Sequence, residues 1–172
     1  PNILWANTPA GVYSKPDDSS STPWSLVFAG YAVHSDPAVP SILYASPTNG
    51  SRVVRRYSAG SWTDVTALPS LMNTVAISAS NPQAVLAGTE SGVFRTGNAG
   101  ATWTRSDDGL NAAYVRHVAT GGGRVYASTG GVEIAIGNAD EATLQRSIVA
   151  APDLSISSLA AHPTDPNIIL VG

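Results

Sequence analysis

The feature that most constrains this chain is a short strand-like segment that returns five times. Ile3-Leu4-Trp5-Ala6-Asn7, Ile42-Leu43-Tyr44-Ala45-Ser46, Val85-Leu86-Ala87-Gly88-Thr89, Val125-Tyr126-Ala127-Ser128-Thr129 and Ile169-Leu170-Val171-Gly172 begin about 39 to 44 residues apart. The flanks return in register. Asp36-Pro37, Asn81-Pro82, Gly121-Gly122-Gly123 or Asp165-Pro166 precedes four of the five segments. After the segment, a Gly-containing turn leads to a third strand at Gly11-Val12-Tyr13, Arg52-Val53-Val54, Gly92-Val93-Phe94 or Gly131-Val132-Glu133. A fourth strand opens at Trp24, Trp62, Trp103 or Leu144, and an apolar first strand follows at Ala32-Val33, Thr74–Ile77, Val115–Val118 or Ile156–Leu159.

These pieces are short, β-branched or aromatic, and punctuated by Gly, Pro, Asn and Asp, and no window keeps a helical period. The expected fold is all-β. Strands at this spacing suit sandwiches and propellers alike, but only stacked blades need the same sequence about every 40 residues, because each blade buries both faces against near-copies of itself. The expectation is a β-propeller: about four repeats of four-stranded antiparallel blades, forming an arc of a six- to ten-bladed ring. One partial domain covers 1–172, with repeats at approximately 1–40, 41–80, 81–120 and 121–164 and the start of a fifth at 165–172. Both ends supply a second strand, so they cannot close a ring on each other. The expected completion is further blades of the same chain, with a second copy as the alternative.

Composition narrows the function classes. Charged residues make up 12% of the chain, about half the usual share. The net charge is −3, Lys15 is the lone lysine, and no basic run exceeds Arg55-Arg56, so neither nucleic acid nor an anionic membrane surface is expected as a partner. No apolar run approaches the roughly 20 residues of a membrane-spanning helix. Without cysteine, disulfides, thiolate metal sites and cysteine nucleophiles are excluded. The low charge and Ser/Thr/Ala-rich make-up predict an exported bacterial protein, secreted or periplasmic.

Thr96-Gly97-Asn98-Ala99-Gly100-Ala101-Thr102-Trp103 resembles the Asp-box pattern Ser/Thr-x-Asp-x-Gly-x-Thr-Trp, with Asn98 in the acid's place. Thr96, Asn98, Gly100, Thr102 and Trp103 would form a capped hairpin whose Trp wedges between blades. Tyr57 to Trp62 keeps the Gly and Trp without the acid. Ser14 to Trp24 is lengthened, and Gly137 to Leu144 has Leu for Trp. The chain thus resembles the Asp-box (BNR-repeat) propellers of sialidases, two-propeller xyloglucanases, sortilin-type receptors and photosystem II assembly factors. That resemblance implies structural boxes, with Trp24, Trp62 and Trp103 as wedges, placed away from any catalytic face.

Candidate chemistry is sparse. His34 and His162 read as turn residues and His117 as a strand residue, with no short-range pairing that would suit a metal. Neither a metal nor a cofactor is expected. Arg55, Arg56, Arg95 and Arg105 flank turns opposite the usual binding face, so the arginine cluster of a sialidase is not visible. Glu90 and Glu133 read first as solvated turn acids and second as one half of a glycosidase pair, which needs two carboxylates across a sugar. Asp153 has the same reach, and Asp107 and Asp108 read as surface charges. Asn49-Gly50-Ser51 matches a glycosylation acceptor and reads as a turn. Tyr31, Asn73, Tyr114 and Arg116 lead into first strands, where propellers present ligand contacts around the central channel. Together with Glu90 and Glu133 they are the expected contacts for a carbohydrate or protein ligand. The functional expectation is a non-enzymatic extracytoplasmic binding or assembly scaffold, and the alternative is part of a sialidase-like or xyloglucanase-like glycoside hydrolase.

Overall fold

The computed structural model describes residues 3–18, 21–35, 39, 41–78, 80–108, 110, 114–129, 133–138, 144–148 and 155–172. Among them every regular element is a β-strand and none is a helix. The first sheet holds β1 (Ile3–Thr8), β2 (Gly11–Pro16) and β3 (Ser25–Ala29). Three four-stranded sheets follow. They are β4 (Tyr31–Ser35) to β7 (Ser61–Val65) through β5 (Leu43–Pro47) and β6 (Val54–Ser58); β8 (Met72–Ile77) to β11 (Thr104–Arg105) through β9 (Val85–Thr89) and β10 (Gly92–Thr96); and β12 (Val115–Gly121) to β15 (Leu144–Ile148) through β13 (Arg124–Thr129) and β14 (Glu133–Asn138). A last pair joins β16 (Leu159–Ala161) to β17 (Ile169–Val171). Each sheet is an antiparallel meander in chain order, which is the blade pattern expected from the repeat.

Strand limits differ in places. Arg52 and Val53 precede β6, and Ile156 to Ser158 precede β16. Trp24 and Trp103 stand just before their fourth strands, while Trp62 lies within one. Asp36-Pro37, Gly131-Val132 and Asp153 lie outside the described residues.

The blades stack by one rule, which the period-2 alternation of a strand makes possible. In β5, β9 and β13 a large side chain faces the next blade and the alanine after it faces the previous one, and Trp5 of β1 faces the next blade likewise. Trp5 meets Tyr57 and Trp62 edge-on at 5.0 and 5.6 Å, and Tyr44 meets Trp103 at 6.4 Å. Leu86 packs among Val115, Val118 and Val125, and Tyr126 packs with Ile156 while its hydroxyl donates to Pro166 O. Ala45, Ala87 and Ala127 are fully buried, so the alanines leave room for the neighbour's large residue. The third strands add Val12, Val54, Val93 and Ile134, each no more than 1% exposed. Burial of such a side chain stabilises by about 1.5–3 kcal/mol, and the core is therefore a series of interfaces between blades.

The turn after β10 closes on its own side chains. Thr96 Oγ1 donates to Asn98 Oδ1 (2.8 Å) and accepts from the amides of Asn98 (3.2 Å) and Gly100 (3.0 Å). Asn98 Oδ1 also accepts from the Thr102 amide (2.9 Å), while its Nδ2 donates to Thr102 Oγ1 (2.9 Å). Ala99 and Gly100 sit at φ +59° and +95°, conformations that favour glycine. The closed turn then reaches the previous blade: Trp103 Nε1 donates to Thr66 O (3.0 Å), the Thr66 amide to Gly100 O (3.0 Å) and Thr66 Oγ1 to Ala101 O (2.7 Å).

Two side chains depart from their expected settings. His34 is no turn residue but lies in β4. Asp107 is no surface charge: it is 7% exposed and takes Arg105 Nε at 2.6 Å. The exposed arm of Arg105 reaches back to it, so the carboxylate is buried with its counter-charge, as a buried ion must be.

Candidate functional site

Three inner first strands, β4, β8 and β12, bring their side chains to a pocket of about 570 Å3. Ala32 and His34 come from β4, Met72 and Asn73 from β8, and Arg116 and His117 from β12. Tyr114 stands just ahead of β12, and the end of β5 with the following turn adds Ser46, Pro47 and Thr48. Leu71 and Ser157 complete the lining.

Asn73 and Arg116 hold a special place in the backbone. In the β8–β9 ladder Met72 pairs with Thr89 and Thr74 with Gly88, which leaves Asn73 as an extra residue. In the β12–β13 ladder Val115 pairs with Thr129 and His117 with Ser128, which leaves Arg116 as the extra residue. Blade two has no such insertion: Tyr31 pairs with Pro47 and Ala32 with Ser46. A β-bulge bends its strand and re-aims the inserted side chain, so two neighbouring inner strands each spend their extra residue on the pocket. Asn73 Nδ2 donates to Val115 O at 2.9 Å. The first bulge thereby anchors the start of the second, and the fully buried Val115 is flanked by Tyr114 and Arg116.

Arg116 is exposed, with its guanidinium 5.7 Å from the centre of the Tyr114 ring, an arrangement in which ring and cation attract. Tyr114 itself is 41% exposed. His34 Nε2 lies 2.9 Å from Ser46 Oγ, and burial pushes its imidazole down to about 4. Burial, then the adjacent Arg116 charge, lowers His117 as well. Both rings are mainly neutral at neutral pH, and Arg116 supplies the pocket's positive charge.

Of the six expected contacts, Asn73, Tyr114 and Arg116 line this pocket together. Tyr31 opens β4 but turns to the blade one–two interface, its ring 5.2 Å from Phe28 with Arg55 over it at 5.6 Å. Glu90 is exposed in the β9–β10 turn, its amide donating to Leu71 O at 3.1 Å. Glu133 opens β14, half-buried. Neither glutamate is among the lining residues. The neutral histidines and Met72 are pocket residues that sequence reasoning passed over. The one-residue insertion before Thr74 and His117, relative to blade two, is the signal that could have found the bulges.

No family model matches the chain, and no curated protein matches it. Solved structures do. The GH74 xyloglucanase from Xanthomonas campestris superposes with a TM-score of 0.63 at 18% identity, covering 99% of this chain and 28% of its own. YCF48 from Cyanidioschyzon merolae gives a TM-score of 0.68 at 15% identity, over 95% of this chain and 62% of its own. A structure of YCF48 bound to D1 peptide gives 0.58 at 13% identity, over 91% and 54%. The chain spans about a quarter of the xyloglucanase and less than two thirds of YCF48. At these identities the likeness is one of fold, and it agrees with the meander sheets and their stacking: this is an all-β chain built of β-propeller blades.

Proposed function

We propose that the chain is part of a non-enzymatic propeller with Asp-box-type repeats, working outside the cytoplasm as a binding or assembly scaffold, and that the pocket between β4, β8 and β12 is its ligand site. The lining carries this reading: one cation, one exposed aromatic ring, amide and hydroxyl groups, and no carboxylate among the described lining residues. A glycosidase needs two carboxylates facing each other across the sugar, and neither Glu90 nor Glu133 lines the pocket. The structures of similar fold include both a xyloglucanase and a peptide-bound assembly, so the site must decide between the classes.

The proposal includes further blades on both sides. Leu170 occupies the place held by Tyr126 one blade earlier and is 71% exposed, while Trp24 stands where Trp62 and Trp103 do and is 45% exposed. Large side chains in these places are covered in the interior blades. Their natural cover is another blade of the same chain, and a second copy would present the same surfaces.

The test pairs binding with turnover. The protein is applied to peptide and oligosaccharide arrays and incubated with xyloglucan oligosaccharides and sialyllactose. The expected result is binding that Tyr114→Ala removes, with no release of reducing ends or sialic acid. Hydrolysis that Glu90→Gln or Glu133→Gln abolishes would overturn the scaffold reading in favour of a glycoside hydrolase.

A further inference from the structure

We infer that the pocket takes a carboxylate carried by a peptide, with the anion on Arg116 and a neighbouring aliphatic side chain of the peptide against Leu71, Met72 and Pro47. This rests on the reading of the pocket as the ligand site and names what that site selects.

The charge pattern comes first. Arg116 is a bulge residue, so its direction is set by an irregularity that the regular blade two lacks. The bulge is held by Asn73, itself the bulge of the adjacent strand. No carboxylate of a described residue pairs with Arg116, whereas Arg55 and Arg105 are paired with Asp64 at 3.0 Å and Asp107 at 2.6 Å. Other charged groups do not offset it, because the imidazoles facing it, His34 and His117, are uncharged at neutral pH. A guanidinium with free donor edges matches a carboxylate in two parallel hydrogen bonds.

The remaining lining separates peptide from sugar. A sugar seeks an open aromatic face for stacking and acceptors for its hydroxyl protons. Here the guanidinium already lies over the Tyr114 ring, and the described lining residues include no carboxylate acceptor. Leu71, Met72 and Pro47 offer apolar surface instead, which suits an aliphatic side chain next to the anion.

Calorimetric titration with short blocked peptides tests this. Acetyl-Leu-Glu-Ala-amide presents a side-chain carboxylate and acetyl-Ala-Leu a terminal one. Acetyl-Leu-Gln-Ala-amide and acetyl-Ala-Leu-amide are their uncharged counterparts, and glucuronate is the sugar acid. The expected result is that at least one acid peptide binds about tenfold or more tighter than its uncharged counterpart, as a charge-assisted pair predicts. Which acid does so tells the side-chain source from the chain terminus. Arg116→Gln should erase the preference, and Arg116→Lys should keep part of it with an unchanged melting temperature. Equal binding of acid and amide, a preference that survives Arg116→Gln, or tighter binding of glucuronate than of either acid peptide would overturn the inference. If the uncharged peptides bind equally well and depend on Tyr114, the pocket remains the ligand site and only the carboxylate assignment fails. If no peptide binds, both fail.

Discussion

The hairpins β6–β7 and β10–β11 turn the same corner of neighbouring blades by different means. In the first, Ser58 pairs with Ser61 across a two-residue turn, with Ala59 and Gly60 at φ +51° and +84°, the arrangement that suits the twist of a hairpin. The second runs from Thr96 to Trp103 and folds around the Asn98 side chain. What each tryptophan meets differs too. Trp103 is tied to Thr66 O and packs on Tyr44. Trp62 lies among Trp5, Phe28 and Tyr57, all within 5.6 Å centre to centre, and Arg55 covers Phe28 at 4.8 Å. On that side β1 is joined to β4 by Asn7, whose amide group exchanges two 2.7 Å hydrogen bonds with the Val33 backbone. The turn from Thr96 to Trp103 is therefore one of two ways to seat the wedge. Where many rings surround it a tight turn is enough, and where one ring faces it the longer turn holds it by hydrogen bonds.

The sharpest break in this comparison is Trp103→Ala. It removes a wedge and orphans Thr66 O, and should lower unfolding stability by about 3–4 kcal/mol in urea titration. Trp62→Ala should cost nearer 2 kcal/mol, because the half-exposed rings around it can close in. Equal losses would mean that the hydrogen bonds of the longer turn add nothing.

Next in size is a pH effect confined to blade two, where His34 stands at the place that Ala76 holds in blade three. Its folded value, about 4, lies below the ordinary 6.5 of a free imidazole. The unfolded chain therefore takes up a proton that the folded chain refuses, and the stability contributed by the neutral ring is lost as pH falls from about 6.5 toward 4. The loss should be about 3 kcal/mol. His34→Gln, which can still bond Ser46, should flatten the profile. An unchanged slope would show that the ring is not held neutral.

Asn98→Ala should cost about 1–2 kcal/mol through the orphaned Thr102 amide, while Asn98→Asp, keeping the acceptor, should stay within about 0.5 kcal/mol. The smallest expected change is a gain. Ala59→Asn puts Asn-Gly into the tight turn and should add about 0.5 kcal/mol in thermal unfolding. A loss would mean that the β6–β7 turn is shaped by its neighbours and not by its own residues.

The fold was legible because every blade solves the same burial problem. Ala6, Ala45, Ala87 and Ala127 hold one place in four second strands, and a repeated small residue beside a repeated large one is what interleaved sheets leave in a sequence. The hydrogen bonds of the turn from Thr96 to Thr102 are local. Thr96 to Thr102 satisfy one another, so spacing alone specifies them. The pocket was legible in part: Tyr114 stands just before a first strand and Asn73 and Arg116 near the starts of two, and they meet because those strands are adjacent. His34 escaped because its partner Ser46 lies across a ladder and the proline after it suggests a turn. Asp107 escaped because the arm that covers it comes from Arg105, two residues away on an exposed strand. Tyr31 went to the neighbouring interface because a ring beside Phe28 and Arg55 gains more from packing than from a channel.

Met72 is the chain's one methionine, and it lines the pocket. A 13C-methyl-methionine spectrum of the native protein therefore contains a single resonance that reports on the site. Titration with acetyl-Leu-Glu-Ala-amide and acetyl-Ala-Leu, each against its uncharged counterpart, is predicted to move that resonance to saturation with an acid peptide, and to leave it in place in Arg116→Gln. A Met72 methyl that stays silent while a ligand binds elsewhere, or that moves identically in Arg116→Gln, would contradict the assignment of this pocket as the carboxylate-reading site.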